Sequence, residues 1–174
     1  MLIYHLNGSL LLDTNAPNDE IFYDLRGADF RGWNSDAPNI DPADRLLDFG
    51  MADLRGADFT DADMYWVMFF EADCEGAIFR NAKFYGCDLK NVNFRGADLR
   101  GATLALDNLN GATELMGAEL SGALIDGCTM ASTEYDKFTV FPEGFDPVAH
   151  SMVLVPPDME VRRPYHWELP TDQD

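Results

Sequence analysis

The chain contains 174 residues, with 31 acidic and 12 basic side chains and a formal net charge of −19 at pH 7. This length predicts a single domain, and the acidic balance argues against direct binding to nucleic acid. No apolar run is long enough to cross a bilayer, and residues 1–12 lack the basic start and cleavage site of a signal peptide. We therefore expect a cytoplasmic protein that does not bind membranes.

The N-terminal segment carries a hairpin signal. Asn7 and Gly8 separate two runs that can form strands, Met1–Leu6 and Ser9–Asp13. An Asn-Gly pair favours the tight turn between antiparallel strands. Because the open end of a stacked structure would expose core residues and strand edges, we predict that residues 1–22 form a β-hairpin that caps the repeats that follow.

A five-residue pattern dominates the middle of the chain. Between Ala52 and Gly111 it occurs twelve times in succession, each time as a small residue, a polar residue, a large apolar residue and two surface residues. A period of five matches neither the period of a helix nor that of a straight strand. It indicates a chain that turns a corner every five residues and stacks on itself.

Two positions of each repeat are predicted to face the interior. They are the large apolar residue, which we call the centre, and the small residue two positions earlier, since residues two apart on an extended segment point the same way. Large beside small side chains suit a narrow, close-packed core. Asp107 is the one acidic residue in the small row, and we expect it to hydrogen-bond to backbone or water, or to turn outward. The predicted centres are Leu54, Phe59, Met64, Phe69, Cys74, Phe79, Phe84, Leu89, Phe94, Leu99, Leu104 and Leu109.

The fifth position of each repeat predicts the corner. It is usually Gly or Asn, which accept the positive φ of a type II turn. The exceptions predict a different corner, closer to type I, at Asp61, Trp66, Glu71 and Leu106. The Asp that often precedes the centre is suited to hydrogen bonding with nearby turn backbone, which gives many acidic side chains a structural role.

The pattern has two predicted interruptions. Two repeats at 23–32 are followed by an insertion at 33–51, in which an N-cap, Pro42 and Gly50 predict a short helix over about 42–49. A single extra residue within 112–117 predicts a bulge at a corner. The register then continues to Lys137, and residues 138–174 are predicted to be a closing segment followed by an extended Pro-rich tail.

The repeated Ala-Asp-Leu/Phe motif resembles the pentapeptide-repeat family over roughly residues 23–137. The resemblance implies an all-β fold, a right-handed quadrilateral parallel β-helix with four repeats per coil and about five coils. It also implies a protein that is not an enzyme. Some members of the family mimic DNA, because their acidic rods occupy the DNA site of type II topoisomerases.

Neither the cysteines nor the histidines predict a chemical site. Cys74, Cys87 and Cys128 fall on inward positions, so we expect buried free thiols, with Cys87 and Cys128 on one face and Asp107 in the layer between them. The three histidines have no spacing typical of metal ligands. We therefore predict no catalytic residue, no cofactor and no metal site.

Several apolar residues occupy outward positions. Tyr65, Trp66, Phe70 and Tyr85, joined by Met68 and Leu106, are predicted to gather on two adjoining faces. The favoured interpretation is that the chain covers them itself, through Leu46, Leu47 and Phe49 of the insertion or through Trp167 of the tail. The alternative is contact with a partner protein or a second copy.

These observations favour a rigid, non-enzymatic scaffold that binds an unidentified protein partner as a monomer or homodimer. The predicted contact residues are Tyr65, Trp66, Phe70, Tyr85, Arg80 and Arg100, with Arg80 stacked over Arg100. The alternative is a DNA-mimicking modulator of a type II topoisomerase or another nucleic-acid-binding protein. The predicted arginine columns weaken that alternative, because they interrupt the negative surface. A toxin-neutralising protein is a third possibility, supported by acidity alone.

Overall fold

The computed structural model describes residues 24–35 and 48–156 in full and the backbone of two further strands. The strands are β1 (Leu2–His5), β2 (Leu10–Asp13), β3 (Ala28–Asp29), β4 (Asp63–Tyr65), β5 (Lys83–Tyr85), β6 (Thr103–Ala105), β7 (Glu134–Tyr135) and β8 (Val153–Leu154). The described residues contain no helix. No helix with the length and apolar character of a membrane span occurs among them.

Parallel pairing between residues twenty apart defines the architecture. Strands β4, β5 and β6 form a parallel sheet, and isolated bridges join Asp53 to Asp73 and Met68 to Asp88 in the same way. Twenty residues hold four repeats, so the chain winds around four stacked columns. The centres of the first column are Leu25, Leu54, Cys74, Phe94 and Leu120; of the second, Phe30, Phe59, Phe79, Leu99 and Ile125; of the third, Ser35, Met64, Phe84, Leu104 and Met130; of the fourth, Phe49, Phe69, Leu89, Leu115 and Tyr135.

The predicted interior is confirmed from Leu54 to Leu104. Every centre in that range is buried, as is every residue of the small row from Ala52 to Ala102. Phenyl rings of successive coils stack in the second column, where Phe59 and Phe79 have centroids 4.9 Å apart and planes 10° apart. Alternating large and small side chains thus fill the axis of the coil, and this packing holds the four columns in register.

Many corners place a residue with positive φ at the fifth position, whether or not that residue is glycine, whereas Leu106 has no positive φ. A hydrogen bond from Ala57 N to Leu54 O (3.0 Å) closes a representative turn. The predicted change of corner at Asp61, Trp66 and Glu71 is wrong, because they adopt φ values of 61°, 54° and 55°. Their amides donate to carbonyl groups of the next coil, so stacking imposes a left-handed conformation that these side chains disfavour.

The acidic residue before each centre has the predicted structural role. Its Oδ1 atom accepts a hydrogen bond from the amide two residues later, as in Thr60 N to Asp58 Oδ1 (2.9 Å) and Lys90 N to Asp88 Oδ1 (3.0 Å). The side chain satisfies a turn amide that the ladder between coils leaves without a partner. Part of the acidic composition is therefore explained by the backbone.

The second interruption of the repeat is larger than the sequence suggested. The pairing offset changes from 20 to 26 residues, with bridges from Asp88 to Glu114 and from Thr103 to Thr129. Six residues are therefore inserted, and the prediction of a single extra residue at 112–117 is wrong. Leu109 is not a centre, since it is 73% exposed, and Leu115 takes its place in the core.

The same offset corrects the positions of the cysteines. Cys87 N donates to Thr113 Oγ1 (3.4 Å), which places Cys87 in the fourth column. Cys128 lies in the third column, because the next residue, Thr129, pairs with Thr103. The expectation that these two cysteines share a face is therefore wrong. All three thiols are buried and free, as predicted.

The first interruption is shorter than the sequence suggested. Trp33, Asn34 and Ser35 continue the repeat, because Asn34 pairs with Asp63 and Ser35 is buried. The pattern resumes at 48–51, where Phe49 is a buried centre and not part of a helix. Residues 36–47, which include most of the predicted helix, lie outside the described residues.

Additional strands pair at the two ends of the coil. The predicted hairpin is confirmed in its backbone, since β1 pairs antiparallel with β2 and also with β3 of the first coil. Its role as a cap stays a prediction. At the other end β8 pairs in parallel with β7, and Met152 is buried against the core. The coil thus continues to about residue 155, and residues 157–174, most of the predicted tail, lie outside the described residues.

Candidate functional site

The first and second columns carry a ladder of ion pairs. Arg55 binds Asp53 through two hydrogen bonds (2.9 and 2.6 Å), and the same pairing joins the acid and the arginine of three other repeats. All arginines among the described residues lie in these two columns. The matching pairs are Asp24–Arg26, Asp29–Arg31 and Asp98–Arg100.

Arg80 departs from this pairing because Ile78 occupies the acidic position of its own repeat. Its Nε atom donates instead to Asp98 of the next coil (2.6 Å), so Arg80 and Arg100 share one carboxylate. Hydrogen bonding to Arg100 and then to Arg80 holds the pKa of Asp98 well below its usual range. The predicted stacking of Arg80 over Arg100 is confirmed by the bridge between Ile78 and Asp98. These guanidinium groups are structural partners of the coil.

The fourth column has a different charge balance. Its only cations among the described residues are Lys90 and Lys137. Lys90 already binds two acids, Asp88 (3.5 Å) and Glu114 (3.0 Å). The acids of this column are Asp48, Glu71, Asp88, Glu114, Glu134 and Asp136. Negative charge in the described part of the coil is therefore concentrated on the fourth column.

The outward aromatic residues divide between neighbouring positions. Tyr65 and Tyr85 pack against each other in the third column, with ring centroids 4.7 Å apart and planes 33° apart. Trp66 lies at the corner between the third and fourth columns and is 48% exposed, and Met68 of the fourth column is 39% exposed. Phe70 follows the buried centre Phe69 in the fourth column and is half-buried. Arg80 and Arg100 lie in the second column, so the structure does not bring the predicted contact residues together as one site.

A contact between Trp66 and Asp107 bridges two separate coils. The indole Nε1 atom donates a short hydrogen bond to Asp107 Oδ2. Gly86 lies between them: a Cβ atom there would be 2.9 Å from Trp66 Cδ1 and 3.0 Å from Asp107 Oδ2. The indole, assisted by the backbone amides of Gly111 and Leu109, lowers the pKa of Asp107. The absence of a side chain at residue 86 therefore makes room for this contact.

Asp107 also organises the inserted loop at 106–111. Its Oδ1 atom accepts from the amides of Leu109 (2.7 Å) and Gly111 (2.6 Å), and its own amide donates to Gly111 O (2.8 Å). The two outcomes expected for Asp107 are thus both observed, since it is hydrogen-bonded and turned outward. The loop holds Leu109 outward beside the coil. We call Tyr65, Trp66, Met68, Tyr85 and Leu109 together the Trp66 surface.

The expected cover of the aromatic residues is partly wrong. Phe49 is buried in the core and does not lie over them, whereas Leu46, Leu47 and Trp167 lie outside the described residues. The sequence does not distinguish the loop from one more repeat, because Asp107 and Leu109 have the spacing of a small-row residue and a centre. The run Asp107-Asn108-Leu109-Asn110-Gly111 is rich in turn-forming residues, and that composition is the signal that could have revealed it.

The buried thiols are held in their neutral form. Burial raises the pKa of Cys74, and it raises the pKa values of Cys87 and Cys128 to about 12. In the part of the chain that the structure describes, no group of His, Cys, Asp and Glu side chains is arranged to hold a metal ion. The Trp66 surface is therefore the candidate site among the described residues.

Comparison with known proteins identifies the repeat. Residues 69–104 match the family model for pentapeptide repeats with eight copies. No curated protein matches the sequence.

Three solved structures resemble the chain. A pentapeptide repeat protein from the thylakoid lumen of Arabidopsis thaliana aligns at 25% identity and a TM-score of 0.40, over 53% of this chain and 64% of that one, less than two thirds of its length. A pentapeptide repeat protein from Nostoc Pcc 7120 aligns at 28% identity and a TM-score of 0.31, over 63% of this chain and 86% of that one. QnrB1, a plasmid-mediated fluoroquinolone resistance protein, aligns at 16% identity and a TM-score of 0.32, over 76% and 77%. Residues 69–104 are therefore pentapeptide repeats, and the same register continues on both sides of them.

Proposed function

We propose that this protein is a non-enzymatic scaffold that binds a protein partner through the Trp66 surface. The observation that carries the proposal is the loop at 106–111. It leaves the repeat, is held by its own hydrogen bonds, and exposes Leu109, whose backbone amide binds the same carboxylate as the Trp66 indole. An ordered departure from a regular coil that exposes apolar side chains is typical of a contact site.

The composition of the surface supports binding. Trp and Tyr are enriched among the residues that dominate binding energy at protein interfaces. Leu109 is 73% exposed, and covering a leucine fully contributes about 1.5–3 kcal/mol. A partner that covers Leu109 and Trp66 together would gain affinity from both.

The rigidity of the surface supports the same proposal. Trp66 is anchored through its indole, its backbone amide donates to Tyr85 O (3.0 Å), and Tyr65 packs against Tyr85. Side chains that are already ordered lose less conformational entropy on binding than mobile ones do. The coil would then act as a frame that holds the loop and the aromatic residues in fixed relative positions.

DNA mimicry receives less support from the charges. The arginine pairs of the first and second columns interrupt the acidic surface on two of the four columns. A mimic would use a continuous negative surface. We therefore expect the protein neither to inhibit gyrase supercoiling nor to protect gyrase from a quinolone, and either activity would contradict the scaffold proposal in this form.

The scaffold proposal is tested by capture from the native cell with matched variants. The tagged wild-type chain, Leu109→Asn and the control Leu124→Asn are compared after crosslinking; Leu124 is also an exposed apolar residue (46%) but lies in the second column. We expect one protein to be captured by the wild type and by the control, and roughly tenfold less by Leu109→Asn, because the apolar contact is lost. Equal capture by all three chains would contradict the proposal, and so would an equal loss in both variants.

A further inference from the structure

We infer that the segment that docks on the Trp66 surface is cationic and amphipathic, with apolar side chains that cover Trp66 and Leu109 and Lys or Arg side chains that face the fourth column. This inference rests on the proposed function and adds the chemistry of the partner. It follows from the position of the apolar residues beside the most acidic column of the described coil.

The acidic border of the surface is formed by side chains on several coils. Asp107 lies in the loop with its carboxylate bound to the Trp66 indole and to loop amides. Met68 lies between Asp48 and Asp88 in successive coils, and Glu114 follows Asp88 one coil further on. Asp48 is exposed, and Asp88 and Glu114 are half-buried. A partner would therefore meet carboxylates beside the apolar anchors.

The cations near this border are already engaged. Lys90 forms ion pairs with both Asp88 and Glu114, and Lys83 in the third column binds Asp63 (3.1 Å). The arginines of the described coil lie in the first and second columns, on the carboxylates of their own columns. An acidic partner would thus face an excess of negative charge, whereas a basic partner would supply the charge that the border lacks.

The charge distribution also decides against two other occupants. A second copy that used the same surface through a two-fold axis would bring two acidic borders into one interface. A nucleic acid would bring phosphates against the same carboxylates. The net charge of −19 would repel either approaching molecule over a distance and would attract a basic segment. A basic amphipathic segment satisfies both the apolar and the electrostatic character of the surface.

The inference is tested with three synthetic peptides of equal length added to the full chain. One peptide consists of Leu and Lys, the second of Leu and Glu, and the third of Ser and Lys. Binding is followed by NMR through the indole Nε1–H signal of Trp66 and the amide signal of Leu109. We expect saturable shifts with the Leu–Lys peptide and at least tenfold weaker binding of the other two, because each lacks either the charge or the apolar contact.

Variants and salt separate a specific site from general attraction to an acidic protein. Leu109→Asn should weaken the Leu–Lys peptide about tenfold, whereas Leu124→Asn should leave it unchanged. Added salt should also weaken the binding of the Leu–Lys peptide to the wild-type chain, because it screens the exposed carboxylates. Equal binding of the Leu–Lys and Ser–Lys peptides would overturn the inference, as would stronger binding of the Leu–Glu peptide or shifts that Leu109→Asn leaves unchanged.

The peptide experiment and the capture experiment can fail independently. Capture that depends on Leu109 does not require a basic partner. If capture depends on Leu109 but the Leu–Lys peptide does not bind, the scaffold proposal stands and the cationic assignment is wrong. If the captured protein contacts Leu109 through an acidic segment, the same conclusion follows.

Discussion

The arginine columns and the Trp66 surface are built by opposite means. In four repeats of the first and second columns the acid binds an arginine two residues away, so that one repeat supplies both partners of the ion pair. On the Trp66 surface the indole binds an acid 41 residues away, on a loop that departs from the repeat. Local ion pairs that stabilise the coil thus lie within the repeats, whereas the exposed apolar site lies where the repeat is interrupted.

The largest effect is expected at Gly86, which separates Trp66 from Asp107. Gly86→Ala places a Cβ atom 2.9 Å from the indole at a φ of +62°. We expect it to lower the free energy of unfolding by about 1–2 kcal/mol through the backbone and by about 1–3 kcal/mol more through overpacking. The control is Gly76→Ala, with a φ of +64° and no atom within 4 Å. The difference between the two variants in the free energy of urea unfolding measures the cost of crowding the contact between Trp66 and Asp107. Equal losses would mean that this contact is not tightly packed.

A smaller effect is expected at Asp98, which is buried beneath two guanidinium groups. Asp98→Asn should lower the free energy of unfolding at pH 7 by about 1–3 kcal/mol, since two arginines lose a charged partner. The pKa of Asp98 is lower in the folded state, so its stabilisation is present above the unfolded pKa and is lost as the pH falls through the folded pKa.

The pH dependence gives an independent check on Asp98. The difference in unfolding free energy between the wild type and Asp98→Asn should be constant near neutral pH and should shrink as the solution becomes more acidic than the ordinary Asp pKa of 3.8. Thermal or urea unfolding over that range measures the difference. A difference that grows in acid would show that the carboxylate is not the stabilising group.

The corners allow a substitution that should stabilise the coil. Ser132 adopts a φ of 65°, a conformation in which a Cβ atom is unfavourable. Ser132→Gly should raise the free energy of unfolding by about 1 kcal/mol, because the strain exceeds the entropic cost of glycine. Its neighbour Ala131 has no positive φ, so Ala131→Gly should destabilise by about 0.5–1 kcal/mol. Thermal unfolding compares the two, and a change of the same sign in both would argue against corner strain.

These corners also show how far the sequence predicts the fold. The five-residue period, the inward rows and the structural role of the acids can all be predicted from the sequence, because each depends on one repeat and its neighbours. The conformation of Trp66 and Glu71 was not, since local preference opposes a left-handed backbone and only stacking of whole coils imposes it. Local rules fail where the structure around a residue determines its conformation.

The candidate site was predictable only in part. Tyr65, Trp66 and Tyr85 were recognised as outward apolar residues from their positions in the repeat. The sequence assigns Leu109 to the core, because a leucine at the spacing of the centre fits both one more repeat of the coil and a loop of similar composition. Pairing of Thr103 with Thr129 decides between them, whereas in the sequence only the turn-forming composition of residues 107–111 indicates a loop.

Substitution of Asp107 is expected to have the smallest effect on global stability and the clearest effect on local hydrogen exchange. Asp107→Asn keeps the size of the side chain but weakens the bonds to Trp66, Leu109 and Gly111. Because the loop lies outside the buried core, the unfolding midpoint should hardly change. Amide hydrogen exchange at Leu109 and Gly111 should become roughly three- to tenfold faster, since each amide loses a charged acceptor. The control is Asp126→Asn in the second column, which should leave exchange in the loop unchanged. If Asp107→Asn leaves it unchanged as well, the loop is ordered by its backbone and not by this carboxylate, and the contact between Trp66 and Asp107 does not hold Leu109 in place.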